Sequence, residues 1–221
     1  MEQLFLACTV FLATHFLPST PLRAPLVKAF GQWGYTGVYS AVSFACIGWM
    51  GWAYTRAPVE VLWQGWRWLP AVLMPVSLIL LAGGLFARNP TIVGMDGLLK
   101  SADPARGMIR VTRHPIMWGF LLWALVHVAA RGDLRSLLFF GTFAMLAGLG
   151  TLLMDVRKQQ TLGEDWARFA AVTSNLPFAA IAKGRNRLDL KEIGWRNPAI
   201  GLALYALLIW LHPFLFKSRP W

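Results

Sequence analysis

The stretch RGMIRVTRHPIMWG, residues 106–119, marks the point where a basic segment turns into an apolar helix. Proline suits the first position of a helix, because its missing N–H would have no intrahelical partner there. The residue before a proline is pushed out of the helical conformation. The pair His114 and Pro115 therefore predicts a fixed helix start that aims the imidazole, with Arg106, Arg110 and Arg113 close by. His114 is a candidate metal ligand or acid/base group.

The composition indicates a membrane protein. Hydrophobic residues make up 57% of the 221 residues and charged residues only 14%, whereas an ordinary soluble domain has about a quarter charged. The net charge of +11 comes from basic residues in short loops between apolar runs. This distribution suits control of membrane topology and contact with anionic lipid. We therefore expect membrane lipid as a partner and no nucleic acid.

Six apolar runs approach the length of roughly 20 residues that a spanning helix needs. They are about Leu4 to Leu17, Gly34 to Tyr54, Leu69 to Ala87, Pro115 to Ala130, Leu134 to Met154 and Pro198 to Phe216. The sequence predicts a single all-α domain over residues 1–221, a polytopic membrane bundle of about six transmembrane helices.

Two further features refine this bundle. The connection Arg131-Gly132-Asp133 is too short for anything but an antiparallel return, so it predicts a helical hairpin. After the hairpin, apolar side chains recur at helical spacing opposite Glu164, Asp165 and Arg168, which predicts an amphipathic helix on the membrane surface. The apolar positions of this interfacial helix are Leu162, Trp166, Phe169 and Thr173.

The loops also predict the orientation. With six spans, one side of the membrane holds fifteen of the 21 lysines and arginines. Because cytoplasmic loops are enriched in basic residues, this side is expected to be cytoplasmic. Both termini are then predicted to lie on the opposite side.

This topology predicts how deep in the membrane each histidine lies. His15 ends the first span and His114 begins the fourth, both on the cytoplasmic side. His127 lies thirteen residues further along the fourth span, about 20 Å away, and shares the opposite side with His212. The sequence thus offers two pairs at equal depth, and only His15 and His114 are surrounded by basic residues.

Two imidazoles at one depth on different helices can take the opposite axial positions of a haem iron. The propionates would find guanidinium partners in Arg23, Arg110 or Arg113. The chain has no C-x-x-C-H motif, so such a haem would be bound non-covalently, as haem b. The alternative is that these histidines are hydrogen-bonded or snorkelling side chains. A zinc site would need three or four clustered ligands, and no carboxylate or thiol accompanies the pair.

Several stretches resemble the NnrU family of bacterial membrane proteins. They are THFLPSTPLR (residues 14–23), RNPTIVG (88–94), ARGMIRVTRHPIMWG (105–119), WALVHVAARGDL (123–134) and LGEDWARFAAVTSNLPFAAIAKGR (162–185). The same blocks are similar to zeta-carotene isomerase, a membrane haem b protein that isomerises a carotenoid double bond. The resemblance implies that His15 and His114 are the axial ligands.

The resemblance also implies a function and a location. Iron with two imidazole ligands has no vacancy, so His15 or His114 must leave for catalysis or gas binding to occur. His15, beside Pro18 and Pro21, is expected to be the mobile ligand. The implied partners are an electron donor and either a lipophilic polyene or nitric oxide, since the family name links it to denitrification. The implied location is the bacterial cytoplasmic membrane, with both termini periplasmic.

Two other classes of function remain open. The pattern R-H-P-x-x-x-G, a helical hairpin, an acidic residue and an aromatic motif also resembles isoprenylcysteine and phospholipid methyltransferases. That resemblance implies binding of S-adenosylmethionine by Arg113 and His114, with a membrane lipid as methyl acceptor. The matching positions are Arg113, His114, Pro115, Gly119, Asp155, Gly163, Trp166, Phe169 and Pro177. The third class is a cofactor-free membrane protein that assembles or regulates others.

Overall fold

The computed structural model describes residues 1–92 and 94–217, and its long elements are all helices. Val93 of the RNPTIVG stretch and Arg219, which counts in the charge balance, lie outside the described residues. The helices are α1 Glu2–Phe16, α2 Arg23–Arg56, α3 Leu69–Leu85, α4 Met108–Val111, α5 Pro115–Arg131, α6 Leu134–Val172, α7 Ala179–Ala182, α8 Leu190–Ile193 and α9 Arg196–Phe216. Two 3-10 turns, Leu17–Ser19 and Asp96–Lys100, lie between them.

Each of the six apolar runs lies in one long helix, apart from one or two residues at the ends of the first and third runs, which confirms the all-α prediction. By length and composition, α6 and α9 can each cross a membrane. The α1 and α2 pair, bent by 89° at the turn between them, qualifies as a third span. Helices α3 and α5 are apolar but have only 17 residues each. The described residues therefore give a helical membrane protein with two or three spans of full length.

The helices pack side by side in the order α9, α3, α5, α6, α1, α2. Glycines permit the closest approaches, as expected for helices packed in a membrane. A Cβ on Gly201 of α9 would lie 2.7 Å from the Cα of Ile79 in α3, and one on Gly119 of α5 would lie 2.9 Å from the carbonyl oxygen of Ser77. Helices α3, α5 and α9 thus form one tightly packed unit.

The predicted helical hairpin is confirmed. Gly132 ends α5 in the left-handed conformation, with φ of 67°, and a Cβ there would collide with the carbonyl oxygen of Trp63. Asp133 then caps α6 by accepting a hydrogen bond from the Ser136 N–H at 2.9 Å. The turn therefore sets α5 and α6 antiparallel, so that the start of α5 meets the distant part of α6.

The predicted interfacial helix is the last part of α6, after a break at Gly163 where φ is 53°. Its apolar face differs from the prediction, because Trp166 and Phe169 are buried in a small core of the protein. The partners are Leu99 and Ala105, on the segment that leads to α4, and Ile109 of α4 itself. That segment folds back over the helix, so protein covers the face that we expected to lie on lipid.

Candidate functional site

His114 directly precedes α5 and has non-helical backbone angles, φ −121° and ψ 55°. Pro115 occupies the first helical position, as predicted from the His-Pro pair. His114 is only 1% exposed. The His-Pro pair therefore fixes the orientation of this imidazole, which points into the protein.

The segment before α5 is held by the chain that follows α6. The Arg113 N–H donates to the carbonyl oxygen of Ser174 at 2.9 Å, and the Thr112 hydroxyl donates to that of Asn175 at 2.6 Å. The Phe178 N–H donates to the carbonyl oxygen of Val111 at 2.8 Å. These three bonds fix the chain from Val111 to Arg113, directly before His114.

Asp155 of α6 is the centre of the site. Arg113 donates two parallel hydrogen bonds to it, from Nε to Oδ1 at 2.9 Å and from a terminal nitrogen to Oδ2 at 2.7 Å. His114 Nε2 lies 2.6 Å from Oδ1, and Asn175 donates to Oδ2 at 3.2 Å. Two-point pairing of this kind fixes geometry as well as charge. Asp155 thus joins the start of α5 to α6.

The hydrogen bond to Asp155 fixes the roles of the two nitrogens of His114. An ionised carboxylate only accepts hydrogen bonds, so Nε2 is the donor. Nδ1 is buried and has no hydrogen-bond partner among the described residues. Buried polar atoms normally have a partner. In the neutral imidazole this nitrogen carries a lone pair, so it can bind a metal or accept a proton.

His15 lies near the end of α1 and is half-buried. Its Nδ1 lies 2.8 Å from the carbonyl oxygen of Phe11 in the preceding turn. Its ring contacts those of Phe11, with centroids 3.9 Å apart, and Tyr39, with centroids 5.4 Å apart. With Nδ1 donating to the backbone, Nε2 is the nitrogen that His15 can offer to a metal.

Among the described residues, no hydrogen bond or ring contact joins His15 to His114. Helices α1 and α6 run parallel, since Cys8 contacts Leu138 and Phe11 packs on Phe143. His15 lies about 6 Å of helix beyond Phe11, whereas Asp155 lies about 18 Å beyond Phe143. Asp155 is therefore about 12 Å of helix further from the α1–α6 contact than His15 is.

The arginines predicted near the propionates have separate partners. Arg110 is buried and bonds to Glu192 through two nitrogens, at 2.7 and 2.9 Å, to Asp103 at 2.6 Å and to Asn186 at 2.8 Å. This bonding raises the pKa of the Arg110 guanidinium. Arg23 donates to Gln32 at 3.3 Å and lies over the ring of Tyr35. All three nitrogens of the Arg110 guanidinium thus bond within the protein, whereas Arg23 keeps N–H groups for another acceptor.

The second histidine pair lies at the other end of α5. His127 Nδ1 lies 2.8 Å from the carbonyl oxygen of Trp123, and its ring stacks on Phe140 with centroids 4.7 Å apart. The His212 ring contacts Phe216. Among the described residues, no group of three or more His, Cys, Asp or Glu side chains is arranged to hold a metal ion.

Asp155 and Asn175 are the site residues that the haem hypothesis did not include. Asp155 directly follows the apolar run that ends at Met154, and a lone carboxylate at the end of a membrane span is expected to have a specific partner. That signal was available in the sequence. The part played by Asn175 had no such signal, because it depends on the loop after α6 folding back.

The comparisons with known proteins identify the family of this chain. The family described as NnrU protein matches residues 3–220. The 15-cis-zeta-carotene isomerase of Zea mays is 30% identical over 123 residues, which are 52% of this chain and 33% of that enzyme. The enzyme of Arabidopsis thaliana is 36% identical over 90 residues, 37% of this chain and 22% of the enzyme.

The chain thus aligns with a third or less of the length of these isomerases. No solved structure matches it significantly. The family match covers nearly the whole chain, from α1 to α9. The protein therefore belongs to the NnrU family.

Proposed function

We propose that this NnrU family protein binds haem b in the membrane and uses it to isomerise a lipophilic polyene. The observation that carries the proposal is the state of His114. Its Nε2 is held by a carboxylate, and its buried Nδ1 has no hydrogen-bond partner. A histidine that binds a metal commonly donates its other ring N–H to a carboxylate, which fixes the ring and makes it more basic.

The residues of this site fit haem b in part. The unpartnered Nδ1 of His114 could hold the iron, and so could Nε2 of His15. No hydrogen bond or ring contact joins His15 to His114 among the described residues, so we propose that one of the two side chains moves when both hold the same iron. His15, beside Pro18 and Pro21, is the one that we expect to move.

Haem bound here would supply an iron that changes its redox state and accepts a ligand in place of His15. The chain's own residues do the rest. Asp155 holds the proton on His114 Nε2, and Arg113 holds the Asp155 carboxylate in position. Apolar helix surfaces admit a lipophilic substrate from the bilayer. Of the basic candidates, Arg23 remains for a propionate, since Arg110 is bonded to Glu192 and Asp103.

The visible spectrum of detergent-purified protein tests the proposal. Haem b with two imidazoles gives a Soret band and paired visible bands on reduction. His114→Ala should abolish haem binding, and His15→Ala should retain haem with an altered spin state. His127→Ala and His212→Ala serve as matched controls and should leave the spectrum unchanged. Colourless wild-type protein, or loss of haem only in the two controls, would contradict the proposal.

Reduced protein should also bind carbon monoxide, because the proposal requires His15 to leave. Nitric oxide in the same titration tests the alternative use of the site in nitrite and nitric oxide metabolism. If the reduced protein keeps an unchanged bis-histidine spectrum and refuses both gases, a mobile His15 is excluded. Turnover of a 15-cis polyene, measured with an electron donor present and absent, distinguishes isomerisation from gas binding.

We further propose that all six long helices cross the bacterial cytoplasmic membrane. Helices α3 and α5 are about 25 Å long, slightly short of the hydrocarbon thickness, and local thinning of the bilayer accommodates such a mismatch at small cost. The basic loops then face the cytoplasm and both termini the periplasm. A phosphatase fused after Lys217 should be active, and one fused after Arg106 inactive.

A second candidate function is methyl transfer from S-adenosylmethionine. The observation that favours it is the meeting of Arg113, His114, Asp155 and Trp166, with the His114 and Trp166 ring centroids 6.5 Å apart. Against it, Nε and one terminal nitrogen of Arg113 already bond to Asp155, so only the remaining N–H groups of that guanidinium could reach a nucleoside. Calorimetric titration with S-adenosylhomocysteine distinguishes the two candidate functions. Saturable binding to colourless protein would support methyl transfer over haem binding.

A further inference from the structure

A pocket of about 340 Å³ opens between three segments of the chain outside the His114 site. The segments are the loop before α4, the last turns of α6 and the chain around Arg185. Pockets for small molecules start at about this volume. The lining includes three guanidinium groups, those of Arg110, Arg168 and Arg185, and the carboxylate of Asp103. The lining therefore has more basic than acidic side chains, while Glu192 and Asp165 pair with Arg110 and Arg168 from outside the lining.

The three arginines differ in what they can still bind. Arg110 is saturated by Glu192, Asp103 and Asn186. Arg168 pairs with Asp165 three residues earlier, and its side chain is 71% exposed. An exposed pair of this kind contributes little stability, so a ligand can take the Arg168 guanidinium from Asp165 at small cost.

Arg185 contributes in a different way. One terminal nitrogen donates to three carbonyl oxygens at the end of α6, those of Ala170, Ala171 and Thr173, at 3.3, 2.6 and 3.0 Å. These bonds orient the guanidinium and leave its other N–H groups for another acceptor. The pocket thus combines one oriented arginine with one mobile arginine.

We propose that this pocket binds a phosphate group through Arg168 and Arg185. Guanidinium groups pair with phosphate oxygens through two parallel hydrogen bonds, and a phosphate carries enough charge to outweigh the neighbouring Asp103. The phosphate belongs either to a soluble phosphate or diphosphate or to the headgroup of an anionic phospholipid, which basic pockets on the cytoplasmic side of membrane proteins bind. The proposal goes beyond haem binding and does not depend on it.

The pocket is connected to His114 through packed aromatic side chains. Phe169 forms part of the pocket wall, and its ring packs on Trp166 with centroids 5.2 Å apart. Trp166 in turn contacts the ring of His114. A phosphate ligand would therefore act on His114 through two packed aromatic side chains rather than by direct contact.

Equilibrium dialysis of the full-length protein in neutral detergent against labelled inorganic pyrophosphate tests the proposal. Nanodiscs of phosphatidylglycerol or phosphatidylcholine, compared by thermal unfolding, test a headgroup as the source. Arg168→Ala should weaken pyrophosphate binding at least tenfold, or remove the stabilisation by phosphatidylglycerol. Arg187→Ala is the matched control, because Arg187 is 75% exposed, pairs with Asp189 and lies outside the pocket lining.

The outcomes separate the sources. Saturable pyrophosphate binding that depends on Arg168 identifies a soluble ligand. Stabilisation by phosphatidylglycerol that depends on Arg168, without pyrophosphate binding, identifies a lipid headgroup. No binding in either assay, or equal losses in Arg168→Ala and Arg187→Ala, overturns the proposal. Arg168→Glu, which reverses the charge at an exposed position, should abolish binding while the protein unfolds at its usual temperature.

Discussion

His114 Nε2 lies 2.6 Å from Oδ1 of Asp155, a residue 41 positions away on another helix. The same carboxylate receives both hydrogen bonds of Arg113. One side chain of α6 therefore fixes the orientation of the imidazole and neutralises the guanidinium beside it. The stability of the bundle and the chemistry of His114 consequently depend on the same residue.

Asp155→Asn should destabilise the protein and lower its haem content. The substitution keeps the shape but leaves the Arg113 guanidinium, which is 13% exposed, without a charged partner. Removing one partner of a buried ion pair costs about 3 kcal/mol or more. Thermal unfolding in detergent measures the stability. Asp165→Asn, in the exposed pair with Arg168, is the control, and equal effects of the two substitutions would contradict the role given to Asp155.

Arg113→Lys should give a milder defect than Arg113→Met. Lysine keeps the positive charge, but it cannot make the two parallel bonds that arginine makes to Asp155. We expect Arg113→Lys to lose about 1 kcal/mol and to retain haem, since Asp155 still holds His114. Arg113→Met should lose more stability and more haem. The unfolding temperature measures stability, and the ratio of Soret to protein absorbance measures haem content. Identical behaviour of the two variants would exclude a requirement for positive charge at residue 113.

The positions of the helices were predictable, because hydrophobic runs and a proline at a helix start are local signals. The His-Pro pair predicted a fixed, non-helical His114, and the structure has it. Contacts between distant segments were not predictable from these signals. The pairing of Arg110 with Glu192, 82 residues away, and the burial of Trp166 beneath the loop before α4 both depend on how that loop folds back.

The neighbours of His15 and His114 show the same limit. The sequence placed both at one membrane boundary, because each adjoins the end of an apolar run. In the structure α6 continues as a helix beyond Met154, where Asp155 bonds to His114, while His15 contacts Phe11 and Tyr39. Hydropathy locates the end of an apolar run, but it does not say which turn of a neighbouring helix a side chain will contact.

Gly201→Ala should loosen the packing of α9 on α3. A Cβ at residue 201 would lie 2.7 Å from the Cα and 2.8 Å from the nitrogen of Ile79, and backbone atoms cannot move aside as a flexible side chain can. Overpacking of this kind costs about 1–3 kcal/mol. Gly48→Ala is the matched control, since nothing lies within 4 Å of a Cβ there. A lower unfolding temperature for Gly201→Ala alone is the expected result, and equal temperatures would contradict the close approach.

Glu192→Gln should destabilise the protein at neutral pH and have no effect in strong acid. The hydrogen bonds from Arg110 lower the pKa of Glu192 to about 2, from an ordinary value of about 4.5. Because the folded-state pKa is the lower one, the stabilisation is complete above about pH 4.5 and disappears as the pH falls through about 2. The variant should therefore lose about 1–2 kcal/mol at pH 7, and its unfolding temperature should converge with that of the wild type between these two pH values. Glu164→Gln, on the α6 segment after Gly163, controls for loss of a carboxylate as such. A constant difference across the whole range would mean that Glu192 acts through packing instead of charge.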